Sequence, residues 1–323
     1  MVYNKYIGII GGTGTIGSII VKYLLQLQTH FHVLIGGRRS IKEISMSTFY
    51  NSERLKYNQM NYNNDVELDN FCSQCLLVIN AVGPSFKIND KIALHALRNN
   101  CHYIDIGGYG ILRDLLKPYE KSIEAQKLCF IIGVGWMPGI SGVFSKTIIE
   151  THLNSPENTN FNIYYGAVDN WSYSSTYDLA ASSMGKTRSY VYSHGKEIQV
   201  SPFRYTHHKF FPFIGHKKIC MPSFDEQLTQ LATSLKQIRK ISTFIMLNDY
   251  ISMGKFMFIK IFYKHNLNKA TLMLQDDYQR LVKKENKWGS VICQVSKIEP
   301  ERKIDTFYYL YTKNNLLYTA LPA

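Results

Sequence analysis

No stretch of eighteen uninterrupted apolar residues occurs in the chain, so no transmembrane helix is expected. The most apolar late segment, residues 251–262, is broken by Lys255 and Lys260. The opening residues lack the basic, apolar and small-residue zones of a secretory signal, because strand-like sequence begins by Tyr6. A cytoplasmic protein with no membrane partner is therefore expected. Cysteine is sparse: Cys72, Cys75, Cys101, Cys129, Cys220 and Cys293 are scattered over 323 positions. That excludes the dense disulfide framework of small secreted domains and reads as reduced thiols. There is no internal repeat, no arginine-rich tract and no compact nucleic-acid motif, so nucleic acid is not expected as a partner. Nor is there any Asp or Glu before Glu43.

What the chain has in excess is positive charge. A formal net charge of +13 attracts anions, which suits a small acidic substrate, free or tethered to an acidic carrier protein. With 45% apolar residues the chain is long enough to bury two cores. Strand-like runs at residues 6–10, 31–35, 55–60, 76–80, 102–105 and 128–132 alternate with helix-spaced apolar residues at 15–28, 65–74, 89–99, 113–127 and 140–153. This is the order of an α/β, doubly wound parallel sheet with right-handed crossovers. The Asn-rich stretch 154–160, with Ser and Pro, suits a linker. Beyond it, Tyr-, Phe-, Ser- and Thr-rich runs predict strands at 161–168, 187–192, 290–298 and 306–312, with a turn at His194-Gly195 and a helix at 227–239. The expected organisation is a Rossmann domain over residues 1–153 and a mixed α+β domain over 154–323.

Chemistry concentrates at the ends of the first domain's strands. Gly12-Thr13-Gly14-Thr15-Ile16-Gly17 follows the first strand directly and opens the first helix, the setting that the dinucleotide fingerprint requires. Gly12 is expected to make the tight turn, Gly14 to let the backbone approach a pyrophosphate, and Gly17 to let helix and strand pack closely. The helix's first N–H groups and its dipole then bind phosphate. An NAD-binding chain places a carboxylate at the end of the second strand for the ribose 2′-hydroxyl. Here the strand runs into Gly36-Gly37-Arg38-Arg39. Two guanidinium groups suit a 2′-phosphate, so NADPH is expected over NADH.

The loop Asn80-Ala81-Val82-Gly83-Pro84 leaves the fourth strand at the same edge, where it is expected to flank the nicotinamide half of the cofactor. Tyr103-Ile104-Asp105-Ile106-Gly107-Gly108 ends the fifth strand there. Asp105 is the leading polar candidate, either for substrate and cofactor positioning or as a loop hydrogen-bonder. Asp105, Tyr109 or a second-domain tyrosine are candidate proton donors. Gly133-Val134-Gly135-Trp136-Met137-Pro138-Gly139-Ile140 follows the sixth strand, and its Trp136 either roofs the substrate or packs in the core.

Taken together, these segments resemble the saccharopine dehydrogenase-like reductases in the glycine-rich first turn, the Asn-Ala-x-Gly-Pro loop, the Tyr-x-Asp strand end and the later Pro-Gly turn. The likeness covers roughly residues 5–150. It implies a pyridine-nucleotide domain followed by a substrate and dimerisation domain, hence a homodimer. It also implies reduction or oxidation of C–N bonds in amino-acid-derived compounds, or of C=C bonds in some relatives. Asn80, Gly83, Pro84 and Asp105 would line the cofactor and substrate cleft. Two family carboxylates are missing: Gly108-Tyr109 stands where many relatives have Gly-Glu, and Trp136-Met137 where many have Phe-Asp. Saccharopine itself is therefore not the expected substrate. A non-catalytic NADP(H)-binding sensor or scaffold is the alternative to a reductase.

Other constellations compete weakly. The spacing Tyr-x-x-x-Lys occurs at Tyr192/Lys196, Tyr205/Lys209 and Tyr309/Lys313, all beyond the Rossmann segment. Cys72-Ser73-Gln74-Cys75 has zinc-like spacing without a second ligand pair nearby, and no metal is expected. His207-His208 reads as a loop, and His95 as a helix-surface residue.

Overall fold

The computed structural model describes residues 5–27, 30–40, 43, 52–108, 110–153, 156–185, 189–223 and 226–323. The chain divides into two compact units, one formed by Met1–Ile140 with Leu316–Ala323, the other by Ser141–Asn315.

In the first unit β1 (Tyr6–Ile10), α1 (Thr15–Gln26), β2 (Val33–Gly37), β3 (Leu55–Gln59), α2 (Asp65–Cys72) and β4 (Cys75–Asn80) follow one another. They are followed by α3 (Ser85–Ile88), α4 (Lys91–Arg98), β5 (His102–Asp105), α5 (Gly110–Leu116), α6 (Glu120–Ala125) and β6 (Phe130–Ile132). The six strands form one parallel sheet in the order β3-β2-β1-β4-β5-β6. Strand order therefore reverses between β1 and β4, the switch point at which the carboxyl ends of such a sheet open to a ligand. Both faces are covered, which explains near-continuous apolar runs such as Val33-Leu34-Ile35. Ile10, Leu34, Val78 and Tyr103 pack on Phe71 of α2 and Ile92 of α4. Their neighbours Ile9, Ile35 and Ile79 point the other way, onto Ile20 and Val21 of α1. The single helix expected at 113–127 is instead two, parted by a 3-10 turn carrying Pro118.

The second unit is built from α7 (Ile140–Thr151), β7 (Thr159–Val168), α8 (Tyr173–Gly185), β8 (Ser189–Ser193), β9 (Lys196–Val200), α9 (Pro202–Tyr205), β10 (His207–Phe211) and β11 (His216–Pro222). It continues with α10 (Glu226–Ser234), β12 (Lys240–Leu247), α11 (Tyr250–Phe262), α12 (Leu267–Lys284), β13 (Trp288–Ile298) and β14 (Lys303–Thr312). Its sheet of eight strands runs β10-β11-β12-β7-β13-β14, with β8 beside β12 and β9 beside β8. Only the β12–β7 pair is parallel, so the sheet is mixed. The His194-Gly195 turn has positive φ at both residues (50° and 73°), the geometry that matches the twist of a two-residue hairpin. The helices α8, α9, α11 and α12 were not anticipated. Asp249 caps α11 and Asn266 caps α12, each accepting a backbone N–H of the first turn.

A last helix, α13 (Asn315–Ala320), leads the chain back: residues from Leu316 onward belong to the first unit, where Ala320 is buried in the cluster of Ile9, Ile20 and Ile35. The division at Ile140/Ser141 falls after the first residue of α7, whereas composition placed the boundary beyond that helix. Among the described residues no helix is long and apolar enough to cross a membrane.

Candidate active site

The glycine-rich turn opens directly from β1. Its left-handed residue is Gly11, with φ of +83°, and not Gly12 as the fingerprint suggests. Gly12 matters for packing: a Cβ there would lie 2.8 Å from Ile35 Cγ2. Gly17 behaves as expected, since a Cβ would collide with the Gly11 carbonyl oxygen and hold α1 off the turn. Gly14 differs from both. It is exposed, and a Cβ would meet only Gly11 O, at 3.1 Å, with open space elsewhere.

Thr15, Ile16 and Gly17 form the first turn of α1. Gly14 caps it without any side-chain hydrogen bond, and no acidic residue stands in that turn. An uncapped helix start with no carboxylate to oppose an anion fits a phosphate. Beside it, Arg39 donates from a terminal guanidinium nitrogen to the Thr13 carbonyl at 2.7 Å. The charge is thus placed against the fingerprint turn. Arg38 is exposed alongside. The backbone of both arginines is fixed from β3: the Tyr57 hydroxyl donates to Arg39 O at 2.5 Å and Gln59 Nε2 to Arg38 O at 3.4 Å. Glu43, the first acidic residue of the chain, accepts the Ser40 N–H at 2.7 Å. Tyr57 and Gln59 were not singled out from the sequence; the signal was available in the order of strands, which sets β3 against β2.

At the end of β4, Asn80 is buried and uses both ends of its amide. Oδ1 accepts the Val82 N–H at 3.0 Å and Nδ2 donates to Asp105 Oδ2 at 2.8 Å. Ala81 N donates to Ile10 O, tying this loop to β1 across the switch point. Gly83 and Pro84 follow, joined by a cis bond, and Pro84 stands at the start of α3.

Asp105 is only 2% exposed, and its carboxylate is engaged on both oxygens. Oδ2 takes the Tyr103 hydroxyl at 2.6 Å as well as Asn80, and Oδ1 takes the N–H groups of Gly107 (2.9 Å) and Gly108. Four donors match the acceptor capacity of a carboxylate. Burial pushes the Asp105 carboxyl above its ordinary value, against the opposing pull of Tyr103, Asn80, Gly108 and Gly107. Burial also pushes the Tyr103 hydroxyl well up, and the neighbouring carboxylate adds to it, so Tyr103 remains a donor. Asp105 is therefore a brace between β4, β5 and the glycine pair, the loop-bonding role of the two open for it. Gly107 and Gly108 allow close packing there: a Cβ on Gly108 would lie 2.5 Å from Leu112 Cδ2. Tyr109, another proton-donor candidate, lies outside the described residues.

Trp136 sits half-buried after β6, its ring edge-on to Tyr318 of α13 with centroids 5.7 Å apart.

The competing constellations dissolve in the fold. Tyr192 is on β8 and Lys196 on β9, and the Tyr192 hydroxyl donates to Glu197 at 2.9 Å. Tyr309 is in β14 and Tyr205 ends α9, so none of the three spacings lies within one helix, where residues four apart share a face. Cys72 and Cys75 are buried and free, and burial pushes both thiols up. His95 corrects the sequence reading: it is 3% exposed, wedged between α2 and α4 with Nδ1 2.7 Å from Asp69 Oδ1. Helix packing encloses a face that looked free. His208 meets the Tyr250 hydroxyl at 2.8 Å, and His207 lies edge-on to Phe244.

Residues 7–129 match the family described as the saccharopine dehydrogenase NADP binding domain. No curated protein sequence matches the chain. Among solved structures, apo saccharopine dehydrogenase (L-Glu forming) from Saccharomyces cerevisiae is similar, with a TM-score of 0.67 at 13% identity over 98% of this chain and 89% of that one. An engineered D-amino acid dehydrogenase bound to NADP+ scores 0.48 at 10% identity, covering 99% and 86%. The DAP dehydrogenase of C. glutamicum, in complex with DAP, scores 0.46 at 11% identity, also covering 99% and 86%. The first unit is thus an NADP-binding domain of the saccharopine dehydrogenase type, and the chain has the fold of the yeast enzyme.

Proposed function

We propose that the chain is an NADPH-dependent reductase, an oxidoreductase that reduces a C=N (imine) or C=C bond of a small acidic metabolite, free or held on an acidic carrier protein, and that it works as a homodimer. The observation that carries the reading is the Arg39 guanidinium on the Thr13 carbonyl, beside a helix start with no acidic residue in its first turn. NADPH bound there supplies a hydride from its nicotinamide ring.

The residues proposed to hold it divide by task. Gly12, Thr13, Gly14, Thr15, Ile16 and Gly17 take the pyrophosphate on backbone N–H groups, and Arg38 and Arg39 take the 2′-phosphate. Asn80, Ala81, Val82, Gly83 and Pro84 line the nicotinamide half, and Trp136 borders the substrate. Asp105 acts at one remove, holding the Asn80 and Gly107-Gly108 loops in place. With that carboxylate fully bonded, Tyr109 is the proposed proton donor: as hydride reaches carbon, its hydroxyl proton passes to nitrogen, leaving an amine.

The test is loss of the reduced-nicotinamide absorbance when the protein meets NADPH and cyclic imines, oxo acid and amine mixtures, or enoyl acids. Turnover is expected with one of these classes, and Tyr109→Phe is expected to lower kcat while leaving NADPH affinity unchanged. Tight NADPH binding without turnover on any of them would favour the sensor reading. An acidic substrate further requires kcat/KM to fall as salt rises.

A further inference from the structure

The helical hairpin α11–α12 carries an apolar surface that the reductase reading does not use. Phe256 and Ile259 of α11 pack inward with Ala270 and Leu274 of α12. The opposite side of α11 is just as apolar and faces outward. Phe258 is 39% exposed, Ile261 65%, Phe262 66%, and Leu272 at the start of α12 54%. Residues 258, 261 and 262 are spaced three and four apart and so share a helix face. The rings of Phe258 and Phe262 lie 4.5 Å apart and form one apolar surface on α11. Exposed apolar residues scattered singly need no explanation, but a contiguous group at the tip of a hairpin marks an interaction site.

Its surroundings say what it meets. Between Asp249 and Asp276 the sequence contains no acidic residue, while Lys255, Lys260, Lys264, His265 and Lys269 all fall there. Of the two flanking carboxylates, Asp249 is bound to Arg280, and Asp276 stands one turn beyond Leu272 on the same face of α12, a single negative charge against Lys260, Lys264 and Lys269. Lys255 alone is paired, with Asp277 at 3.3 Å. Lys260 is half-buried, with its ammonium 5.1 Å from the ring centroid of the inward-packed Phe256, and burial pushes its ammonium down, so the exposed charges of the collar are those of Lys264 and Lys269. A second copy of the chain would fit poorly. A twofold interface sets a patch against itself, which here brings one lysine collar against another in a molecule of net charge +13. An apolar tip ringed by cations complements an anionic lipid surface, with Phe and Ile among the acyl chains and the lysines at the headgroup phosphates.

We propose that the α11–α12 tip docks the protein on anionic membrane surfaces, lying on the bilayer and not crossing it. This departs from the expectation of no membrane partner, which rested on the lack of a spanning run and does not bear on surface attachment.

The test is flotation of the full-length chain with phosphatidylcholine vesicles prepared with and without phosphatidylserine, at low and high salt. The wild type is expected to float with the phosphatidylserine vesicles and to lose binding as salt rises. Ile261→Ser/Phe262→Ser and Lys264→Glu/Lys269→Glu are each expected to reduce the bound fraction by about tenfold or more. All these side chains are exposed, and an unchanged NADPH titration and melting temperature confirms that each variant is folded. Wild-type protein that stays unbound, or an Ile261→Ser/Phe262→Ser variant that floats equally well, would overturn the proposal. Light scattering without lipid showing a dimer that this variant halves in mass would assign the patch to a second copy and likewise overturn it.

Discussion

Asn80 and Asp105 stand opposite one another in register at the carboxyl ends of β4 and β5, and a 2.8 Å hydrogen bond joins their side chains. The pair makes one unit of two loops that are 25 residues apart in sequence. Asn80 orients the start of the Ala81-Val82-Gly83-Pro84 loop and Asp105 the Gly107-Gly108 bend.

Replacing Asp105 should therefore cost stability first. In Asp105→Asn an amide NH2 must face either Tyr103 and Asn80 or the glycine N–H groups, donor against donor in a buried site. The expected loss is about 2–4 kcal/mol by urea unfolding, with weaker NADPH binding. Tyr103→Phe removes one donor and should cost about 1–2 kcal/mol. An Asp105→Asn protein as stable as the wild type would show that the brace is not needed.

The glycines of the first turn should separate into two kinds. Gly17→Ala puts a methyl group into the Gly11 carbonyl and is expected to destabilise by about 2–4 kcal/mol. Gly14→Ala meets one atom at 3.1 Å and should leave the melting temperature nearly unchanged, yet lower NADPH affinity by about tenfold because the methyl occupies the space a phosphate needs. Thermal melts and nucleotide titration of both variants check this. Equal effects on stability would contradict the assignment.

The second unit offers a test by pH. Asp249 caps α11, accepting the Ser252 N–H at 2.8 Å, and takes two Arg280 nitrogens at 2.6 and 2.9 Å. Burial pushes its carboxyl up, but the hydrogen bonds from Arg280 and Ser252 outweigh burial and hold it well below the usual range. A folded-state value below the unfolded one means that the stabilisation is complete above the ordinary carboxylate range near about pH 4 and is lost progressively as pH falls from there toward the lower folded-state value. Asp249→Asn is thus expected to be less stable at neutral pH by about 1–3 kcal/mol, with the gap to wild type narrowing below about pH 4. Melts over a pH series give the answer, and a gap independent of pH would contradict the pairing.

Much of the first unit was legible because its signals are local. β1 and β5 begin and end at the residues that the apolar runs imply, and Gly12 to Gly17 announce a turn by spacing alone. What escaped the sequence depends on contacts between distant segments. The left-handed residue fell on Gly11 because adjacent glycines can exchange roles without changing the motif. His95 looked like surface until α2 packed over it. Asp105 could be named from its place at a strand end, but its four donors come from residues 80, 103, 107 and 108, and only the fold shows that they converge. In the second unit α11 was missed because its two sides are both apolar, which leaves no amphipathic period to read. The row Ala270, Leu274, Leu281 in α12, behind an Asn266 cap, was a readable signal that went unused. The return of residues 316–323 to the first unit has no local signature.

The most direct test of the account is calorimetric titration of the wild type and an Arg38→Ala/Arg39→Ala variant with NADPH and with NADH. The guanidinium beside Thr13 predicts that the wild type prefers NADPH, and that the variant binds NADPH about ten to a hundredfold more weakly while its NADH affinity is unchanged. Equal wild-type affinity for the two nucleotides, or a variant that keeps the preference, would contradict the assignment of this turn to the 2′-phosphate.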